Sequence, residues 1–482
     1  TGIITNTINI PDEIDLGGLT PNTKHYYKMY YKAVGNPSYT STPEYSFHTQ
    51  RAPGSSFVFT LESDEHLYDY GNANLYNYTL QNEAKAKPDF MMTLGDIFGD
   101  DHYPNTMTSH QMDSLHEAYR PRLGSITHSI PFYIALGNHE GEKDYWLLQT
   151  PPNNIGVWGT LARKKYYPNP FPNAFYSGNT NAESYGMGEP EDYYSFTWGD
   201  ALFVVLDPYR FDCDTSAKPT GWNWTLGFTQ YTWLKNVLQN STSTFKFVFV
   251  HHPLGENRGG IIPARQYEWG GYQGPTSTNY TFPAHRPGWA MPIHKLFVTY
   301  GVNILFQGHD HLFAREVMDS VIYQEVPMAA DSTYKKGMLA NASAYTADTL
   351  AGSGHLRVTV NSSCVKVEYV LSYLPKDTLT GINHNDSVAF SYVVGACPTT
   401  GITKFNINSS IKIYPNPAKD KITVQLPEGT KNFQIQILNA FGQKILQTQS
   451  NEIDVSSVSD GMYFLSIDSD NFHTNKKVII TR

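Results

Sequence analysis

The chain has 482 residues, of which 40% are hydrophobic and 14% aromatic, and a formal net charge of −9. That length allows roughly two to four domains with sizeable cores. The acidic balance, with no basic run, excludes nucleic acid as a bulk partner, and no apolar stretch is long enough to cross a bilayer as a helix.

In chain order, residues 1–52 are rich in Thr, Pro and Tyr, and HYYKMYYKAV and PEYSFHTQ predict two strands. From residue 55 to 395 the texture changes. The runs SFVFTL, PDFMMTL, IPFYIAL, ALFVVLD, FKFVFV and VNILF predict buried strands. Helical segments are expected at 74–87, 104–120, 229–240 and 289–300. That alternation predicts an α/β domain with helices outside its sheet layers. After residue 355 the pattern turns to alternating strands, as in HLRVTV and CVKVEYVLSYL. A polar linker is expected at 396–410, and residues 411–482 are strand-rich and predict a small β-sandwich. The chain starts at Thr1 rather than Met, which fits a processed or trimmed start.

Three cysteines, Cys213, Cys364 and Cys397, show no CxxC spacing, which argues against a zinc–thiolate site. Cys364 and Cys397 are able to pair in an oxidising compartment. The odd count leaves at least one thiol without an intrachain partner.

Polar residues cluster after five of the apolar strands. FVFTLESDEH supplies Asp64 and His66, and FMMTLGD supplies Asp96. FYIALGNHE supplies Asn138, His139 and Glu140, and FKFVFVHHP supplies His251 and His252. VNILFQGHDH supplies His309 and His311. In an extended segment residues i and i+2 share a side, so His309 and His311 are expected to face one point beyond a strand end, with Gly308 turning the backbone. Loops after parallel strands are where α/β folds place their sites. A lone Asp there is usually a turn or cap residue and a lone His a hydrogen-bonded one. Five such clusters in one order are hard to explain that way. Carboxylate, imidazole and amide oxygen together suit Zn, Mn or Fe, and the many neutral nitrogens argue against calcium. One shared carboxylate is able to hold two ions close together, a pair suited to phosphoryl transfer.

The ordered set DEH, GD, GNHE, HHP and GHDH resembles the calcineurin-like metallophosphoesterases over roughly residues 55–375. The resemblance implies a two-sheet β-sandwich flanked by helices and a dinuclear centre of divalent or trivalent transition-metal ions (Zn, Mn or Fe). One ion would take Asp64, His66, Asp96 and His311. The other would take Asp96, Asn138, His251 and His309, with Asp96 bridging. His251 is preferred to His252 because the family pattern is His-x-Pro. His139 matches the histidine that contacts the phosphate and helps protonate the leaving group, and the implied nucleophile is a metal-bound hydroxide. The phrase LTPNTKHYYKMYYKA with YSFHTQ resembles the last strands of a fibronectin type III-like sandwich, which needs about 100 residues when complete; residues 1–52 form only a part of one. That order of segments resembles the purple acid phosphatases. Their tyrosine ligand stands three residues after the GD aspartate, and here that position is Gly99, so no tyrosinate–iron colour is expected.

The tail, with YPNPAKDKITV, ILNAFGQKIL, GMYFLSI and KKVIITR, resembles the C-terminal sorting domain of the type IX secretion system of Bacteroidetes. It implies a bacterial protein exported through the periplasm and secreted or held at the cell surface, with the secretion machinery as partner of 411–482. The expected activity is hydrolysis of small-molecule phosphate monoesters. Two alternatives stay open: a phosphodiesterase or nucleotidase on the same metals, and a surface binding protein with a structural metal site. Asp100, Asp101, His102, Arg258, His285 and Arg286 offer a substrate-pocket reading, in which an arginine would clamp a phosphate through two hydrogen bonds, but they are read as solvated loop charges and left out of the site.

Overall fold

The computed structural model describes residues 4–8, 10–99, 101, 106–210, 218–255, 257–336, 341–345, 347–378, 384–397, 411–426, 430, 433–439, 443–469 and 472–482. Asp100, His102 and Cys213, and all but the first two residues of the expected linker 396–410, lie outside the described residues. The chain divides into two compact units, Thr1–Cys397 and Pro398–Arg482.

In the first unit the predicted strands form two sheets. One has six strands, in the order Val388–Gly395, Cys364–Leu371, Gly354–Val360, Phe57–Glu62, Phe90–Thr93 and Phe132–Ile134. The last three run parallel. The other has eight strands, with Ala201–Val205, Phe245–Phe249, Ile304–Gln307 and Val321–Glu325 parallel at its centre. Period-2 alternation explains how the sheets stack. Phe57, Phe59 and Leu61 of one sheet face Phe203, Phe247, Phe249 and Phe306 of the other, all buried in one cluster. The ring of Phe203 stands edge-on to Phe59 and Phe90, each at 5.2 Å. Burying each such side chain is worth about 1.5–3 kcal/mol. The opposite faces are covered by helices: Val204, Val248 and Leu305 pack with Leu234, Leu296 and Phe297.

Helix Ala73–Lys85 begins where the Asn72 side chain accepts from the amides of Asn74 and Leu75. The helix expected at 104–120 runs instead over Ser109–Thr127, because Thr108 and Gln111 form a capping box there. Helix Ile293–Tyr300 starts after Pro292 rather than at 289. A helix at Ile155–Tyr166, with its own cap at Asn154, was not predicted; its apolar positions are diluted by Arg163, Lys164 and Lys165.

HYYKMYYKAV does not form one strand but breaks into Lys24–Tyr27 and Tyr30–Tyr31. The first pairs with Tyr45–His48. This segment leans on the larger body. The Tyr27 hydroxyl donates to the His128 carbonyl at 2.5 Å, and Tyr45 stacks on the His128 ring at 4.3 Å. Arg51 pairs with Asp89 through two hydrogen bonds of 2.6 and 2.7 Å. Asp89 precedes the strand Phe90–Thr93, so this contact lies at the end of the sheet opposite the loops that carry Asp64 and Asp96. A disulfide joins Cys364 and Cys397.

The second unit has a three-stranded and a four-stranded antiparallel sheet. Ile422 and Val424 of one and Ile435, Ile437, Leu465 and Ile467 of the other share one apolar core.

Candidate metal centre

Strands of both sheets end on the same side, and their following loops meet. Asp64 and His66 follow the strand Phe57–Glu62, and Asp96 follows Phe90–Thr93. Asn138 and His139 follow Phe132–Ile134, His251 follows Phe245–Phe249, and His309 and His311 follow Ile304–Gln307. The loops are cross-linked by backbone bonds: the Asp64 amide donates to the Gly95 carbonyl at 3.1 Å and the Gly308 amide to the His251 carbonyl at 2.8 Å.

Two groups of buried side chains result, one of Asp64, His66 and His311 and one of Asp96, His251 and His309. The expectation that His309 and His311 face a single point is therefore corrected. The segment is not extended: both residues have positive φ, 76° and 60°, and they point into different groups. Asp64, His66 and Asp96 also have positive φ, at 55°, 44° and 59°. Left-handed backbone is uncommon for such residues, and its concentration here marks a site where the fold imposes conformation for a purpose. Gly308, by contrast, is needed for space. A Cβ there would lie 2.1 Å from the Ser63 hydroxyl oxygen and 2.7 Å from Asp64 Oδ2.

The two groups meet at Asp96. Its Oδ2 is 3.1 Å from His251 Nε2 and 3.8 Å from His66 Nε2. Asp64 Oδ1, which is buried and has no hydrogen-bond partner among the described residues, is 3.4 Å from His311 Nε2 and 3.6 Å from His66 Nε2. His66 Nε2 and His311 Nε2 stand 3.0 Å apart. Ligand atoms about 2.1 Å from one ion are themselves about 3.0–3.4 Å apart, so the spacing and the donor types fit transition-metal ions. Asn138 Oδ1 adds an amide oxygen 3.1 Å from His251 Nε2. His251 Nδ1 lies 2.7 Å from the Leu94 carbonyl, which fixes its proton there and leaves Nε2 facing the site. His252 turns away, with Nε2 3.2 Å from the Gly259 carbonyl.

Burial would raise both aspartates, but the neighbouring histidines outweigh it and hold Asp64 and Asp96 well below the usual carboxylate range. His139 stands beside the pair. Its amide donates to Asp96 Oδ1 at 2.8 Å, and its Nε2 is 4.0 Å from Asp96 Oδ2. Burial pulls its pKa down, but the charges of Asp96 and Asp101 prevail and raise it to about 9.

Three residues do work at the site that the sequence did not assign to them. Asp101, read as a solvated charge, places Oδ1 2.7 Å from His139 Nδ1, while its Oδ2 receives Lys143 at 3.0 Å. Only its closeness to the GD motif signalled this. Glu140 clamps the Asp96 loop, accepting from the amides of Gly137, Asp96 and Ile97 at 2.5, 3.0 and 2.6 Å. Arg258 is not simply solvated: its guanidinium donates to the His309 carbonyl and, at 3.1 Å, to Asp310. His285 and Arg286 lie elsewhere, against Trp222.

The family model of calcineurin-like phosphoesterases matches residues 57–313, more than half of the chain and nearly all of these loops. The chain belongs to the calcineurin-like phosphoesterase family. A second family model, the secretion system C-terminal sorting domain, matches residues 412–481, so this phosphoesterase-family chain carries the signal for type IX export to the cell surface or beyond. Purple acid phosphatase 15 of Arabidopsis thaliana is 25% identical over 331 residues, covering 65% of this chain and 51% of the relative. The chain thus spans about half the length of the curated relative it matches. Two solved structures share the fold. Purple acid phosphatase PPD1 from seeds of yellow lupin (Lupinus luteus) has 16% identity and a TM-score of 0.51, covering 80% of this chain and 64% of that one. PhoD has 19% identity and a TM-score of 0.51, covering 78% and 76%. Among the described residues no helix is long and apolar enough to cross a membrane.

Proposed function

We propose that the protein is a secreted phosphatase that hydrolyses small-molecule phosphate monoesters at a centre of two transition-metal ions. The observation that carries this is the meeting of two buried Asp/His groups at one oxygen of Asp96, with His139 beside it. Asp64, His66 and His311 would hold one ion and Asn138, His251 and His309 the other, with Asp96 between them. Bound there, the ions supply Lewis-acid polarisation of a phosphoryl oxygen and activation of water at neutral pH. The chain's own residues do the rest. Asp96 and Asp64 would bring negative charge from strand ends of the six-stranded sheet, and His251, His309 and His311 bring imidazoles from strand ends of the eight-stranded one. His139 holds a proton where a leaving-group oxygen would stand, and Asp101 orients its ring. No deeply enclosed chamber is required for a small, soluble phosphomonoester, and export places the enzyme where such esters lie outside the cell. The N-terminal strands, the catalytic body over 55–395 and the tail over 411–482 form the proposed division of labour.

The test is elemental analysis of purified protein together with rates on 4-nitrophenyl phosphate and bis(4-nitrophenyl) phosphate, before and after chelation. About two metal ions per chain and a clear preference for the monoester, lost on chelation and restored by metal, are expected. Preference for the diester would replace the monoesterase reading with the phosphodiesterase one. Metal binding without hydrolysis of either would favour a binding protein with a structural metal site.

A further inference from the structure

We infer that Tyr68 is a positioning residue that fixes which nitrogen of His66 faces the metal pair. The inference rests on the reading of Asp64, His66 and His311 as a metal-holding group. The Tyr68 hydroxyl lies 2.5 Å from His66 Nδ1, while His66 Nε2 points at Asp64 and His311. A neutral imidazole carries one proton. A metal on Nε2 takes that nitrogen's lone pair, so the proton belongs on Nδ1 and is donated to the phenol oxygen. His66 is 2% exposed, so water is a poor substitute for that acceptor. His251 meets the same need through the backbone, with Nδ1 on the Leu94 carbonyl at 2.7 Å. His66 relies on a side chain two residues further on.

The fold makes room for that side chain. The Tyr68 ring lies over Gly99, where a Cβ would come within 2.4 Å of ring carbon Cδ2, and Gly99 has φ +68°, a region that favours glycine. A whole imidazole ring separates the phenol oxygen from anything bound at Nε2. Tyr68 therefore acts through His66 and is not itself a ligand. Through His66 it serves the group of Asp64, His66 and His311.

The experiment titrates Zn2+ into metal-stripped full-length protein against a chromophoric chelator, for wild type, Tyr68→Phe, His66→Ala and the double variant. Wild type should bind two zinc ions. Tyr68→Phe should keep one at wild-type affinity and hold the other roughly 10- to 100-fold more weakly, the usual effect of losing such an outer partner. The double variant should be no weaker than His66→Ala alone, the result expected where the hydroxyl acts on zinc through His66. Two zinc ions at wild-type affinity in Tyr68→Phe would overturn the inference and leave the dinuclear reading standing. Additive losses in the double variant would also overturn it. A wild type that binds no zinc would overturn both readings. A measurement on wild type alone guards against a variant that does not fold. Nitrogen-15 labelling of the histidines in the zinc-loaded protein should show His66 protonated at Nδ1, and a proton on Nε2 would refute the assignment.

Discussion

Asp101 Oδ1 lies 2.7 Å from Nδ1 of His139, and Lys143 steadies the other oxygen of the same carboxylate at 3.0 Å. The pair gives His139 a fixed ring orientation and a place for its proton. Replacing His139 by Ala should lower kcat by roughly 100- to 10,000-fold, the usual worth of a positioned proton donor. Asp101→Asn should cost less, roughly 10- to 100-fold. Both should leave two metal ions bound, because neither belongs to the metal groups. The losses should be larger for alkyl phosphates than for 4-nitrophenyl phosphate, whose leaving group departs without a proton. Equal losses on both would remove proton donation from the role of His139.

The metal groups differ in what they share. His311 approaches only the first group, 3.4 Å from Asp64 Oδ1, whereas Asp96 Oδ2 lies near histidines of both. His311→Ala is expected to retain about one ion per chain and Asp96→Ala to retain less than one. Elemental analysis after gel filtration in metal-free buffer measures this directly. Full occupancy in Asp96→Ala would mean that the carboxylate does not bridge.

Much of the fold and of this centre was legible in the sequence, and the reasons are physical. Buried parallel strands leave near-continuous apolar runs, so FVFTL, FKFVFV and VNILF stood out. Chemistry-bearing residues directly after those runs marked the site. Backbone conformation was not legible there. Alternation in an extended chain put His309 and His311 on one side, while the real loop bends through the left-handed region at each of them and sends them to different groups. Long-range partners were equally silent. Asp101 looked like any loop acid because nothing local connects it to His139, 38 residues away. The helix Ile155–Tyr166 escaped notice because its buried Arg163 sits on the inward face, paired with Glu142, where a periodicity reading expects an apolar residue.

Gly308 supplies a further test. It touches Ser63 and Asp64 through space that a methyl group would fill. Gly308→Ala should push the Asp64 side chain out of the first group, lowering zinc affinity there by at least roughly 10-fold. Thermal stability should fall by only about 1–3 kcal/mol, as for other overpacked sites. Calorimetric metal titration beside a thermal melt separates the two effects. Wild-type metal binding in this variant would show that the loop yields without moving Asp64.

The bridge between Cys364 and Cys397 closes a loop with a sequence separation of 33. Cross-linking a loop of that size is worth roughly 3–4 kcal/mol in the chain-entropy account. Treatment with a reductant, or Cys364→Ser with Cys397→Ser, should lower the denaturant midpoint of the first unit accordingly. With three cysteines in the sequence, denatured but unreduced protein should show one thiol per chain to a thiol reagent. Three thiols would mean that the bridge does not form.

Acid stability turns on Glu142. It is buried, with Arg163 Nε at 2.6 Å and Arg210 Nη2 at 3.7 Å. Burial alone would raise its pKa, but the charges of the two arginines outweigh burial and hold it below its ordinary value of 4.5. A carboxyl that is lower in the folded state than in the unfolded one binds fewer protons when folded. Its contribution is therefore complete above pH 4.5 and is lost as pH falls through the lower, folded value. Glu142→Gln leaves the buried Arg163 guanidinium without the carboxylate it pairs with, while Arg210 keeps Glu183 at 3.0 Å, and at pH 7 the variant should be roughly 3–5 kcal/mol less stable. Denaturant melts at pH 7 and pH 4 measure both statements. The gap between wild type and variant should be wide at pH 7 and should narrow below pH 4.5, because Glu142 in the unfolded wild-type chain then takes up a proton that the folded carboxylate still refuses. A gap that stays constant down to the acid transition would show that the Glu142 charge contributes nothing and that only its packing matters.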